Sequence, residues 1–294
     1  MADKPGPLPV RHFGDNPWMW RRARESESAD ADAEHHGEVG PVGHLRSGYY
    51  AFCLALSERL ARERPAAPEV AAGDLGPLPA GVERRIADLL PVLEVPFEAR
   101  LARDTALANY ATLEWLVRLY RAAGRAPPRA GVVHDVGCAS FWYAAALDAW
   151  FAPRELVGVE LDGHRRLKGG LSRAQRALGY LAAIPTGRFV VASYADVSAP
   201  ARVVTAFFPF VTPRPVLAWR LPLGVLAPVP LFARIRANLA ADGEFVMANH
   251  GVSEAARAAG FAAGAGLVPL ARVVDADPLV ARTQPAVITL WRRE

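Results

Sequence analysis

The chain has 294 residues, of which 52% are hydrophobic and 22% charged, with a formal net charge of +4. That apolar content excludes a disordered chain, and the length allows one large core, or one core with a helical appendage. The basic excess does not point to nucleic acid: the 34 Lys and Arg include only two lysines, Lys4 and Lys168, and the arginines are scattered among acids rather than gathered in a stripe.

Residues 1–45 are rich in Pro, Gly, Asp, Glu and His and are expected to form a flexible N-terminal segment. The stretch 25–38 lacks large apolar residues and reads as a loop, while Trp18 and Trp20 before it are expected to dock on the main domain. The first residues have no apolar core of the signal-peptide kind. His35, His36 and His44 have no companion ligands in metal spacing, so no metal is expected. Residues 46–104 read as a helical appendage or lid. Tyr49, Tyr50, Phe52, Cys53, Leu56 and Leu60 recur at near-helical spacing over 46–66, a Pro/Gly-rich linker follows, and a second helix spans 82–90.

The clearest helix is 98–123, where Leu107, Tyr110, Leu113, Leu116, Val117 and Tyr120 make one apolar stripe and Gly124 ends it. From residue 131 short apolar runs alternate with helical stretches. Strands are expected at 132–136, 156–160, 189–192, 203–208 and 244–248. Helices are expected at 141–151, 164–183, 230–241 and 252–263, with a Pro-rich insertion after the fourth strand. The runs 268–274 and 286–291 read as a final antiparallel pair. Alternating strand–helix units imply an α/β, doubly wound, mostly parallel seven-stranded sheet with a C-terminal antiparallel hairpin, preceded by an N-terminal helical region. In such sheets ligands bind beyond the carboxyl ends of the strands. No apolar run reaches the ~18 residues of a membrane span. Cys53 and Cys138 form neither a disulfide framework nor a zinc pattern, which fits a reducing, cytoplasmic setting.

The first strand runs into Asp135, Val136, Gly137, Cys138, Ala139 and Ser140. Gly137 permits a sharp backbone turn, and the small residues after it let a ligand lie against the main chain. Cys138 serves there as a small residue rather than a nucleophile. The second strand ends in Glu160, where a carboxylate can accept both hydroxyls of a ribose. Each acid also has a plain reading: Asp135 as a helix cap, Glu160 as a strand-end acid. Asp162 is expected to begin the next helix.

These residues resemble the cofactor site of the class I S-adenosylmethionine-dependent methyltransferases, which have a Rossmann-like fold. The stretch LAADGEFVMANHG resembles that family's approach to strand five, and the last two strands resemble its terminal hairpin; together the likeness covers residues 105–294. The resemblance implies S-adenosylmethionine as cofactor. It implies that Asp135, Gly137, Cys138 and Ala139 face or anchor the methionine part and that Glu160 holds the ribose. Ser193, Tyr194 and Asp196 would lie by the adenine, and Phe207, Phe208, Pro209 and Phe210 would border the transferred methyl group. Three positions depart from the pattern. Ala139 replaces a second glycine, Phe141 replaces a third and is expected to narrow the pocket, and Ser193 stands where an adenine-contacting Asp is usual, with Asp196 as its substitute.

The family's amino-methylating members carry Asn or Asp before Pro-Pro-aromatic; only Pro209 and Phe210 match, which argues against nucleobase amines as acceptors. The aromatic wall suits a sulfonium cation or an aromatic acceptor. His250, after strand five, reads as a general base or as an ordinary loop histidine. Asn109 and Tyr110 read as a roof over the site or as core, and Tyr110 fits the apolar stripe. A small-molecule acceptor is expected. The alternatives are a methyltransferase-fold binding or partner subunit without catalysis, and an RNA-modifying methyltransferase. A nicotinamide dehydrogenase would need Gly at positions 139 and 142, which are Ala and Trp.

Overall fold

The computed structural model describes residues 39–61, 72–167 and 169–294; the expectations for Trp18, Trp20 and the loop at 25–38 lie outside them. In chain order the elements are α1 (Pro41–Arg59), α2 (Ala80–Ala87), α3 (Arg103–Ala122), β1 (Val132–Val136), α4 (Ala144–Phe151), β2 (Glu155–Glu160), α5 (Arg173–Leu181), β3 (Gly187–Val191), β4 (Ala201–Phe207), α6 (Pro213–Ala218), α7 (Pro228–Asn238), β5 (Leu239–His250), α8 (Gly251–Gly264), β6 (Leu267–Asp275) and β7 (Ala286–Arg293). Among the described residues no helix is long and apolar enough to cross a membrane.

The strands form one seven-stranded sheet in the order β3-β2-β1-β4-β5-β7-β6. The first five pair in parallel, and β7 runs antiparallel between β5 and β6. This is the expected fold class. Successive strand residues point to opposite faces. Val203, Val246, Ala248 and Ile288 pack under α3 and α4. Val204, Phe245 and Met247 pack against Phe232 and Ile235 of α7 and Ala258 and Ala262 of α8. Two apolar faces on each central strand explain why these strands are continuous apolar runs rather than alternating ones. The strand order reverses between β1 and β4, and such a switch point opens a crevice at the carboxyl ends of the strands.

Helix α3 is buried over more than its stripe, because it packs against α4, β6 and β7 together. Tyr110 is core: its hydroxyl donates to Glu98 Oε2 (2.7 Å). Asn109 is also interior. Its amide donates to the Trp142 carbonyl oxygen (2.8 Å) and its Oδ1 accepts from Ala146 N (2.9 Å), tying α3 to the start of α4. The region expected as an appendage divides in two. Leu75, Val82, Ile86, Leu89, Phe97 and Leu101 belong to the same core as α3, and Arg85 of α2 pairs with Glu114 of α3 (2.5 Å). Helix α1 has no buried residue; it begins at Pro41 rather than residue 46, with Pro at the first turn where its missing N–H costs nothing.

Two expectations between β2 and β5 are corrected. The helix expected over 164–183 is only Arg173–Leu181. Gly169 and Gly170 sit at φ +96° and +79°, which breaks a helix, and a capping box of Ser172 and Gln175 starts α5 afresh. Asp162 therefore begins no helix. The Pro-rich insertion is ordered as α6 and a 3-10 turn at Leu223–Val225, and α1 lies on both. There Ser47 Oγ accepts a hydrogen bond from Leu223 N (2.8 Å).

Candidate functional site

An apolar cavity opens beyond the carboxyl ends of β1, β2, β4 and β5. Gly137, Ala139, Glu160, Ser193, Phe207 and His250 line it from the sheet side, and Trp115 and Trp219 close it from α3 and the end of α6.

The turn after β1 carries three left-handed residues in alternation: Gly137 (φ +68°), Ala139 (φ +51°) and Phe141 (φ +54°). Only the first is glycine, and a non-glycine in this region costs roughly 1–2 kcal/mol. Local bonds hold the turn. Gly137 N donates to the Val159 carbonyl oxygen (2.8 Å), and Ala139 N donates to Glu160 Oε2 (2.8 Å). Phe141 does not narrow the cavity. Its ring is fully buried and lies over Gly158 of β2, where an added Cβ would meet Phe141 Cδ1 at 2.6 Å. Cys138 is likewise buried, with Sγ 2.9 Å from that same point, so its side chain faces the core rather than the cavity. Burial holds its thiol well above its ordinary value, which leaves no nucleophile.

Asp135 is buried beneath the turn. Its carboxylate accepts hydrogen bonds from Tyr143 OH (2.5 Å) and from Thr205 Oγ1, its register partner on β4. It thereby ties β1 to β4 and to the start of α4, an anchoring position behind the cavity. Burial pushes its carboxyl up to about 7, opposed by those two hydrogen bonds.

Glu160 faces the cavity from the end of β2. Oε2 accepts from Ala139 N and Oε1 from Asp162 N (2.9 Å). A carboxylate offers about four lone-pair sites, so about two remain. Beside it sits Arg173, which is 1% exposed. Its Nη1 lies 3.5 Å from both Glu160 and Asp162, and its guanidinium stands 4.7 Å from the Trp219 ring centroid. Among the described residues its three guanidinium nitrogens make no hydrogen bond. Asp162 also pairs with Arg165. Its carboxyl is raised by burial and pulled back by both arginines. Sequence reading missed Arg173, because a helix drawn from 164 to 183 makes it one more surface arginine.

After β3, Ser193 lines the cavity and its Oγ accepts from Ala195 N (3.3 Å). Tyr194 also lines the cavity and is buried, with its hydroxyl 3.1 Å from His134 Nδ1. Asp196 is exposed and outside the cavity, so it does not stand in for an adenine-contacting acid.

After β4, Phe207, Phe208, Pro209 and Phe210 all line the cavity. Trp115 stands edge-on to Phe207 and to Phe208, with 6.1 Å between centroids in each case. Phe208, at φ +61°, stacks on His250 (4.0 Å between centroids, 16° between planes). His250 is therefore a fixed wall of the cavity. Its backbone N–H donates to Glu254 Oε1 (3.3 Å), and Asn249 Nδ2 donates to the same oxygen (3.4 Å). Burial raises the Glu254 carboxyl to about 7. The loop between β6 and β7 completes the lining with Val280 and Arg282. Neither Glu254 nor Arg282 carries a local motif that sequence reading could have used.

No family model matches the sequence, and no curated protein matches it. Among solved structures, the chain is similar to magnesium protoporphyrin IX methyltransferase from Synechocystis with bound SAM. The identity is 11% over 88% of this chain and 100% of that one, at TM-score 0.45. It is also similar to geranyl diphosphate methyltransferase in complex with GPP and sinefungin, at 13% identity over 87% of this chain and 100% of that one, TM-score 0.45. A TehB-like SAM-dependent methyltransferase from Corynebacterium glutamicum is 16% identical over 74% of this chain and 100% of that one, TM-score 0.40. All three are methyltransferases. At such identities and TM-scores the likeness says nothing of this chain's acceptor, and the fold rests on the strand order itself.

The cavity's residues fit an adenosyl group bearing a sulfonium. Glu160 has spare acceptors for vicinal hydroxyls, Ala139 leaves the turn's main chain open, and Phe207 adds an aromatic wall.

Proposed function

We propose that the protein is an S-adenosylmethionine-dependent methyltransferase acting on a small-molecule acceptor. The observation that carries this reading is Glu160. It ends β2, is held by Ala139 N from the turn after β1, and presents its remaining lone pairs to an aromatic cavity. A sulfonium cofactor supplies a methyl group already activated for transfer, which leaves the protein the tasks of positioning and of excluding water. Gly137 and Ala139 admit the cofactor to the main chain. Glu160 orients its ribose, and Asp135 holds the turn from behind. Ser193 and Tyr194 border the base. Phe207, Phe208 and Pro209 form the dry wall at the transfer point. His250, fixed on Phe208 beside Glu254, is the group placed to take a proton from a hydroxyl or amine acceptor.

The displacement of Phe141 into the core supports a working cofactor site over a binding subunit without catalysis, since it removes one of the two departures, Phe141 and Ser193, that favour the latter. The apolar lining supports a small acceptor over RNA.

The test is calorimetric titration with S-adenosylmethionine and S-adenosylhomocysteine, repeated on Glu160→Ala. Hydrogen bonds to a charged group contribute about 1.5–3 kcal/mol, so binding is expected to weaken roughly tenfold to a hundredfold in the variant. A folded wild-type protein that binds neither compound would sink the proposal.

A further inference from the structure

The cavity holds two arginines with different surroundings. Arg173 sits between two carboxylates. Arg282, on the loop between β6 and β7, has none. Its guanidinium carbon lies 4.2 Å from the Trp115 ring centroid and 5.1 Å from that of Phe208. Among the described residues no hydrogen bond or ion pair reaches it.

The acid whose charge acts on Arg282 is already committed to other donors. Asp275, at the end of β6, accepts from Trp115 Nε1 (2.7 Å) through Oδ2 and from Arg118 Nη1 (2.7 Å) through Oδ1. That arrangement orients Trp115 beneath Arg282 without neutralising Arg282. Burial lowers the guanidinium to about 10, with Asp275 opposing from a distance. A half-buried cation held only on aromatic faces gains from an anion that joins it.

We propose that Arg282 receives a carboxylate of the acceptor, which makes the acceptor an amphipathic acid: an apolar or aromatic body against Trp115, Phe208 and Val280, with its anionic end on the guanidinium. The inference rests on the methyl-transfer reading for the word acceptor, but the acid-binding site stands on its own geometry. A monoanion balances this one guanidinium, whereas a phosphate dianion would leave an uncompensated charge among apolar walls. The planar fork of arginine matches a carboxylate with two parallel hydrogen bonds. The loop position suits the role, because Arg282 enters from the β7 side of the sheet while Glu160 lies on β2, across β1, β4 and β5.

The experiment uses the full chain and three probes of one shape: naphthylacetate, the neutral naphthylethanol, and naphthyl phosphate. Each is titrated calorimetrically into wild type, Arg282→Met and Arg282→Lys, with S-adenosylhomocysteine titrated in parallel. Wild type is expected to bind the carboxylate at least about tenfold more tightly than the alcohol, the value of a charge-assisted pair. The preference should vanish in Arg282→Met and survive in part in Arg282→Lys, with S-adenosylhomocysteine affinity unchanged in both. Equal binding of acid and alcohol, binding of neither, or a preference that survives Arg282→Met would overturn the assignment. So would loss of S-adenosylhomocysteine binding in the folded Arg282→Lys variant, which would give the guanidinium to the cofactor. Tighter binding of the phosphate than of the carboxylate would overturn the choice of a monoanion. Wild type that prefers the acid but ignores S-adenosylhomocysteine would sink the methyltransferase reading while leaving the acid site in place.

Discussion

Phe141 and Gly158 fill one space. The ring of Phe141, turned into the core by a left-handed backbone, lies where any side chain at position 158 of β2 would go. The bulky residue in the turn and the missing side chain in the neighbouring strand are thus two halves of one packing solution, and the cavity on the other side stays open. Gly158→Ala should destabilise the protein by about 1–3 kcal/mol, as overpacking does. Phe141→Ala should cost about 3–5 kcal/mol through the void it leaves. The double variant should cost less than the sum of the two, read from urea unfolding of all four proteins. Additive costs would show that the two positions do not share that space.

Arg173 is expected to be indispensable to the fold and not only to the site. Arg173→Met leaves Glu160 and Asp162 buried without the cation between them, which should cost about 3–5 kcal/mol. The sign of the pH dependence follows from Asp162. Burial already raises its carboxyl and Arg173 pulls it down, so removal of Arg173 raises it further. A raised carboxyl favours the folded state at low pH and loses that contribution as pH rises. The gap in melting temperature between variant and wild type should therefore widen from about pH 4 to about pH 8. A constant gap would mean that packing alone accounts for the loss.

Asp135 should give the stability curve a measurable tilt. Its carboxyl titrates near 3.8 in an unfolded chain and at about 7 when buried. Its stabilising contribution is therefore complete below the first value and is lost as pH rises through the second. The slope is at most about 1.4 kcal/mol per pH unit for one proton. Asp135→Asn should flatten the curve over that interval, with Glu254, also raised to about 7, leaving a residual slope. Denaturant unfolding across the interval decides the matter, and an unchanged slope would rule the role out.

Removal of residues 1–61 should be cheap. None of the residues of α1 is buried, and Leu45, Tyr49 and Phe52 each expose about two thirds or more of their surface. The melting temperature should fall by no more than about 4–5 °C, the effect of roughly 1–2 kcal/mol in a domain of this size. A collapse of the transition would show that the N-terminal region belongs to the core. Extending the N-terminal deletion through Phe97 should unfold the protein, because Val82, Ile86 and Phe97 are core.

Much of the fold was legible because its signals are local. The apolar runs of β1 to β5, the helices between them and the final strand pair followed from periodicity. The turn at Gly137 and the acid at Glu160 followed from residue type and spacing, and the aromatic border at 207–210 followed from the resemblance to the methyltransferase cofactor site. The boundaries around α5 were not, since two glycines and a capping serine inside a helical-looking stretch decide them.

By itself, then, the sequence determined the succession of strands and helices along the chain, the final antiparallel pair, and the place on the chain where an acid closes β2, because hydrophobic period and turn chemistry act over a few residues. Only the tertiary structure decided which charges meet. Arg173 reaches Glu160 through a turn, Arg282 reaches Trp115 across 167 residues of chain, and Phe141 points away from the cavity because β2 leaves it room. Side-chain direction at a left-handed residue and the pairing of a buried charge depend on partners remote in sequence, and no local pattern records them.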